Sequence, residues 1–364
     1  MKLKTAFATL IIAASTVPLV SCDDDDDESS DTSATDSAST VSITLSKTAL
    51  VIMAGESETI SATISSDSEV TLEWTSSDES IATVSDGTIT GIGNGWVDIV
   101  ATAATAKATC SVYVQDYVLV WSDEFESSSL NTDDWNYEIG NGSWGWGNGE
   151  SEYYTSEESN IRIEDGCLVI EARKETIDDY EYTSARITTE DKQYFTYGKI
   201  EARIKLPSGG GTWPAFWMLA QSGGWPKGGE IDIMEHVGNS PDMISYATHT
   251  TNKNGNLGNN WNSQKTISGV EDEFHVFAIE WESDYLYGRD AITFSVDGDY
   301  AAVTTQASDE EDIDSWPFYK DFYIILNLAL GGSMGGTIDD TIFDNQDTDP
   351  VVMLVDYVRV YQIQ

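Results

Sequence analysis

The feature that most restricts this chain is a two-residue alternation of apolar and polar side chains. It recurs from residue 41 to the C-terminus and never gives way to a sustained helical period. Residues i and i+2 of a strand point to one face, so a chain written this way can bury its apolar side only by packing sheets. At 364 residues it is long enough for about two domains. Residues 41–115 carry short runs such as Glu58-Thr-Ile-Ser-Ala-Thr-Ile64, Thr71-Leu-Glu-Trp74 and Ala108-Thr-Cys-Ser-Val-Tyr-Val114, broken by Ser, Asp and Gly. This spacing predicts a small β-sandwich. Residues 117–364 carry longer runs, among them Gly198-Lys-Ile-Glu-Ala-Arg-Ile204, His275-Val-Phe-Ala-Ile-Glu-Trp281 and Phe322-Tyr-Ile-Ile-Leu-Asn-Leu328. They predict one large sandwich, so the fold class is all-β. Ten of the twelve Trp fall in this second part, more than a single core needs, which predicts an aromatic-lined groove.

Charge narrows the partners. With 18 Lys plus Arg against 63 Asp plus Glu, the formal charge is −45. No basic face is available to neutralise phosphate, so nucleic acid is excluded, as is docking on anionic lipid through a polybasic patch. Three cysteines at Cys22, Cys110 and Cys167 make neither a metal-ligand spacing nor a disulfide framework. Cys110 and Cys167 are expected to be buried and inert.

The N-terminus reads as an address. Lys2 and Lys4 precede an apolar run from Ala6 to Ala14 that is too short to span a bilayer comfortably. Leu19-Val-Ser-Cys22 resembles a bacterial lipobox, which implies a signal peptide over 1–21 and lipidation of Cys22. Residues 22–40 begin with Asp23 to Asp27 and Glu28 and form an acidic, solvated tether. An acidic run behind a lipidated Cys resembles the surface-export signal of Bacteroidetes lipoproteins. That resemblance implies a protein held by lipid on the outer leaflet of the outer membrane. Within 41–115, the string Trp74-Thr-Ser-Ser-Asp-Glu-Ser-Ile-Ala-Thr-Val84, then Gly87-Thr-Ile-Thr-Gly91, resembles a bacterial immunoglobulin-like domain of group 2. Trp74 is expected in its core, and the domain is read as a spacer.

Chemistry concentrates in Glu230-Ile-Asp-Ile-Met-Glu-His236. Alternation puts Glu230 and Asp232 on one face and Ile231 and Ile233 on the other. In a regular strand Glu235 would turn to the opposite face, and a one-residue bulge at Met234 would return it. Crowded carboxyls repel, which stability alone does not favour. Their mutual field raises at least one pKa and can separate an ionised nucleophile from a protonated acid, the equipment of a retaining glycosidase.

This strand lies between Gly211-Thr-Trp-Pro-Ala-Phe-Trp-Met-Leu219, Trp225-Pro226 and Ala247-Thr-His-Thr-Thr-Asn252. With Trp121-Ser-Asp-Glu-Phe125, Trp146-Gly-Asn-Gly-Glu-Ser-Glu-Tyr-Tyr-Thr155 and Asp356-Tyr-Val-Arg-Val-Tyr361, residues 117–364 resemble glycoside hydrolase family 16, in its laminarinase-like branch. The resemblance implies a concanavalin-like β-jelly roll. It makes Glu230 the nucleophile, Glu235 the acid/base and Asp232 the group that positions the nucleophile. Trp213, Trp217, Glu150, Arg173, His249 and Asn327 become candidates for sugar binding, and His236 a supporting partner rather than a base. No cofactor is implied for catalysis. A structural calcium is implied on the convex face, at Glu124, the Gly166 carbonyl and Asp356, where oxygen ligands suit the ion.

The family also cleaves sulfated galactans, whose recognition needs Arg or Lys near the cut. Arg173, Arg186 and Lys227 are the few cations near these motifs, and the negative field disfavours polyanions. The expected substrate is a neutral β-glucan: β-1,3-linked laminarin first, mixed-linkage β-1,3-1,4-glucan second. A non-catalytic surface glycan-binding lipoprotein and a transglycosylase remain as alternatives. The protein is expected to be monomeric, beside other glycan-uptake proteins.

Overall fold

The computed structural model describes residues 41–283, 289–310 and 312–363. The expected signal peptide, Cys22 and the acidic tether lie outside them. No helix among the described residues is long and apolar enough to cross a membrane.

Residues 42–115 form nine strands in three small sheets. The largest orders Ala49–Met53, Ala106–Gln115, Gly95–Ala103 and Leu72–Ser76, the first two running parallel. Outward-facing residues, Val51 and Trp96 among them, alternate along these strands with Leu50, Ile52, Val97, Ile99, Val112 and Val114, which close a separate core on Ile60 and Ile89. Trp74 packs against that core from a half-buried position. Cys110 is buried here, whereas Cys167 is half-buried at a strand start, more open than the sequence suggested; both are free thiols.

Tyr117–Asp123 leaves this unit and pairs antiparallel with the last strand, Val351–Ile363. Two large antiparallel sheets follow. An eight-stranded sheet runs Ile161–Glu164, Cys167–Ala172, Val351–Ile363, Gly198–Lys205, His275–Glu282, Ala291–Val296 and Asp299–Thr305, with Tyr117–Asp123 attached beside Val351–Ile363. A seven-stranded sheet runs Asn136–Glu138, Arg186–Thr188, Phe322–Leu330, Thr212–Ala220, Glu230–His236, Met243–His249 and Trp261–Thr266. Alternate residues of both meet in one core. Ile200, Ala202 and Ile204 from the first sheet belong to the same apolar cluster as Phe216, Met218, Ile324 and Leu326 from the second. Because one set faces inward, the intervening set of the seven-stranded sheet, including Trp213, Trp217, Asn327 and Glu230, is left on its outer face.

Close backbone approach fixes where the central strands start and stop. A Cβ on Gly238, just past the Glu230–His236 strand, would lie 1.9 Å from the Gly209 carbonyl oxygen in the turn that leads into Thr212–Ala220. The Gly238 amide also donates to Thr212 O at 3.1 Å. Gly238→Ala is therefore expected to push that turn away, at a cost of about 2 kcal/mol, read as a lower midpoint in urea unfolding.

Candidate active site

The Glu230–His236 strand carries Glu230, Asp232 and Glu235 to one face through an irregularity in its pairing. Leu219 faces Glu230, Trp217 faces Asp232, then Phe216 faces Met234 and Ala215 faces Glu235. Ile233 is thus the extra residue. On the other side Asp232 faces Ala247 and Glu235 faces Ser245, so three steps on one strand match two on its neighbour. This is the count of a β-bulge. Ile231, Ile233 and Met234 all sit in the core, which accounts for the shift: two successive apolar side chains are buried, and the next residue turns outward. His236 then points inward, its ring nitrogens bonded to Met243 O and Glu271 Oε1, both at 2.9 Å.

Each carboxyl has its own partner. Trp225 Nε1 donates to Glu230 Oε2. Trp213 Nε1 donates to Glu235 Oε1 at 3.1 Å. Asp232 is 3 % exposed and hydrogen-bonded to Glu230, and its Oδ2 lies 3.3 Å from His249 Nε2. His249 sits opposite Glu230 in the register, and its Nδ1 accepts the Gly255 amide at 3.0 Å. That bond leaves the ring proton on Nε2, which lies close to Asp232 Oδ2 without the alignment of a hydrogen bond. Glu230, Asp232 and His249 each bring one donor atom within 4.8 Å of the others. With its proton on Nε2, His249 offers no lone pair there, so this trio does not fit a metal ion.

Burial, and then the Asp232 carboxylate, pushes Glu230 up to about 8, against pulls from His249 and Trp225. Burial and then Glu235 drive Asp232 well above the usual carboxylate range. Burial and then Glu230 raise Glu235 to about 7, opposed by Trp213 and His249. The three acids therefore share protons at neutral pH, as expected for like charges in a water-poor place.

The other candidates divide. Trp217 Nε1 donates to Asn327 Oδ1 at 2.8 Å, Asn327 Nδ2 donates to Tyr154 Oη at 3.1 Å, and Tyr154 Oη donates to Glu150 Oε2 at 3.0 Å. A Cβ on Gly332 would touch both Trp213 and Glu150, so this chain of bonds closes on the Glu235 side. Arg173 is placed elsewhere. Its neighbours Leu168, Ile170 and Ala172 fill the core from the eight-stranded sheet, so Arg173 emerges on that sheet's outer side, bonded to Glu171 and, at 2.9 Å, to Asp347. The cation on the site face is Arg186, whose guanidinium lies between the rings of Trp146 (4.3 Å) and Trp217 (4.9 Å) and pairs with Glu138. Arg186, Trp146, Tyr154 and Trp225 were not selected from sequence as site residues. Only the register of Arg186 with Asn327, and the loop that folds Trp225 back onto Glu230, bring them in.

The calcium donors are already engaged. Glu124 makes a two-point pair with Arg359 at 2.7 and 2.9 Å, and Asp356 pairs with Arg203 at 2.8 Å. Two carboxylates neutralised by guanidinium groups do not fit a shared cation without rearrangement.

Carboxyls held partly protonated among indole N–H donors suit acid-assisted cleavage at an acetal carbon, so fold and site together define a carboxylate-type glycoside hydrolase. Comparison with known proteins agrees. A model of the glycosyl hydrolases family 16 matches residues 148–350, and one described as beta-glucan synthesis-associated protein SKN1/KRE6/Sbg1 matches residues 20–226. The chain belongs to glycosyl hydrolases family 16. It is 43% identical over 256 residues to a beta-glucanase of Rhodothermus marinus, covering 67% of this chain and 85% of the relative. It is 35% identical over 275 residues to glucan endo-1,3-beta-glucosidase A1 of Niallia circulans, covering 68% of this chain but 38% of that protein. The crystal structure of laminarinase from Flavobacterium sp. UMI-01 superposes with a TM-score of 0.59 at 42% identity, covering 67% of this chain and all of that one.

The raised pKa values carry a stability consequence. Between the unfolded carboxyl value near 4.5 and the folded values of about 7 to 8, the folded state holds more protons than the unfolded chain. Stability therefore falls as pH rises through that window. Glu235→Gln and Glu230→Gln remove one such group each. Their Tm advantage over the parent is expected to grow from pH 5 to pH 8, reaching about 3 °C or more, and then level off in a thermal-melt series.

Proposed function

We propose that this protein is a retaining endo-β-glucanase that hydrolyses β-1,3-glucan, with Glu230 as nucleophile and Glu235 as acid/base. The observation that carries the reading is the bulge between Asp232 and Glu235, which puts two glutamates on one face, each with its own indole donor. Glu230 attacks the anomeric carbon while Glu235 gives its proton to the departing oxygen, leaving a glycosyl ester on Glu230. Glu235, now ionised, takes a proton from water, whose oxygen displaces Glu230 and releases the sugar with its β configuration retained. Asp232, the most deeply buried of the three, shares a hydrogen bond with Glu230 and orients the nucleophile. His249 in turn holds Asp232. Trp146 and Trp217, held on either side of Arg186, offer ring surface for glucose, while the buried Trp213, Glu150 and Asn327 support the site through their bonds to Glu235, Tyr154 and Trp217.

The choice of linkage is supported by three similar proteins, a beta-glucanase, an endo-1,3-beta-glucosidase and a laminarinase. The scarcity of cations on the site face favours a neutral polymer. The assay pairs laminarin with mixed-linkage β-1,3-1,4-glucan and sizes the products. Laminarin is expected to shorten faster. Retention on both polymers without shortening would make the protein a binder instead. Glu230→Gln is expected to lose at least about 10³-fold in kcat. Glu235→Gln should lose about 10²- to 10⁴-fold on laminarin and much less on an aryl glycoside whose leaving group needs no proton.

The same proposal includes a surface lipoprotein anchored through Cys22 on the outer membrane, with residues 41–115 as an immunoglobulin-like spacer. It also includes a calcium at Glu124, the Gly166 carbonyl and Asp356, which would have to displace Arg359 and Arg203. If calcium takes that site, millimolar calcium should raise Tm over a chelated sample by a few degrees. Equal melting curves would remove the ion from the reading.

A further inference from the structure

The outer face of the eight-stranded sheet, on the far side of the core from the carboxylates, is not flat. On the central strand His275–Glu282 the outward residue Ala278 is registered between Glu201 on one side and Ser295 on the other. Small side chains at Ala278, Thr293 and Ser295 leave a trough of about 570 Å³ across three strands. This is within the size range of small-molecule sites. Its two sides are aromatic. Tyr300, 63 % exposed, stands on the Asp299–Thr305 side, and Tyr357 stands on the Val351–Ile363 side with the Arg359 guanidinium over its ring at 3.7 Å. Glu201 is 6 % exposed and is held by Lys199 at 2.8 Å and the Tyr361 hydroxyl at 3.3 Å.

Nothing in the proposed reaction uses this face. Two features say what fits it. The lining has one cation, Lys199, against carboxylates at Glu201, Glu280 and Asp297, and the Arg359 guanidinium beside Tyr357 is paired with Glu124, so an anionic ligand is repelled. The exposed Tyr300 ring at one edge, with hydroxyl and carboxylate groups beside it, matches a pyranose chain, whose C–H face stacks on an aromatic while its hydroxyls bond acceptors on the floor. We propose that this trough is a second, non-catalytic binding site for a neutral β-glucan chain, which keeps the enzyme on a polymer while the opposite face cuts it. The ligand class rests on the β-glucanase reading above.

The test uses the full-length protein, with Tyr300→Ala to remove one aromatic side and Ser295→Arg to fill the floor. Neither position contributes to the apolar core, so melting curves should match the parent. Two substrates separate local from remote effects: laminaritetraose, too short to span both faces, and insoluble β-1,3-glucan. Both variants are expected to keep the parent kcat/KM on laminaritetraose. They should sediment with insoluble β-1,3-glucan about three- to tenfold more weakly and solubilise it correspondingly more slowly. Parent-like sedimentation by both variants would overturn the proposal. So would an equal loss on laminaritetraose, because the effect would then act through the catalytic face. A parent protein that sediments through Tyr300 but cuts neither substrate would overturn the glucanase reading and leave this site standing. If the parent is neither retained nor active, both fail.

Discussion

The placement of three carboxyls on one side of a β-strand depends on a single pairing irregularity. Strict alternation would send Glu235 into the apolar core, where an ionisable group has no partner. Burying Ile233 and Met234 in succession returns it to the outer face. Much of the site is arranged around that step. Trp213 and Trp217 come from the neighbouring strand that absorbs the same shift, and His249 comes from the strand on the other side. The indole donors on Glu230 and Glu235, and His249 beside Asp232, partly offset the like-charge repulsion, so the acids remain crowded and only partly ionised.

Crowding of this kind opposes stability, and the rest of the large unit offsets it. A single core formed by alternate residues of a seven- and an eight-stranded sheet holds the site strand between long antiparallel neighbours. The strand therefore cannot slip to relieve the repulsion without moving its apolar residues out of the core. The hydrogen-bonded run Trp217–Asn327–Tyr154–Glu150 extends the same logic sideways, tying three strands and a loop into a polar floor whose groups are satisfied by one another.

How much of this was legible in the residues varies by element. The all-β class was legible because alternation is a local property, and the bulge because Glu-Ile-Asp-Ile-Met-Glu carries one apolar residue too many for its acids to share a face otherwise. Trp213, Trp217, Glu150, His249 and Asn327 were named from motif likeness and do meet around the acids or along the adjoining polar floor. Arg173 was named in the same way and does not, because its strand belongs to the other sheet. Arg186 was legible only as a cation near the motifs. Its place between Trp146 and Trp217 comes from cross-strand register, which a linear reading does not contain. The residues expected to hold calcium depend on the same register, since Arg359 and Arg203 sit within reach of Glu124 and Asp356 only after the terminal strands have paired.

By itself the sequence determined what short-range chemistry can determine. Period-two patterning specified sheets, an excess of acid disfavoured polyanionic partners, and one irregular heptad picked out the strand that carries the three carboxyls. Tertiary structure decided what depends on residues distant in the chain. It chose which face each carboxyl shares with which indole, set the proton on His249 through the Gly255 amide, and sent Arg173 to one sheet and Arg186 to the other. The physical reason is common to all of these. A strand's own alternation fixes which residues point together, but only pairing and packing against other strands fix what they point at.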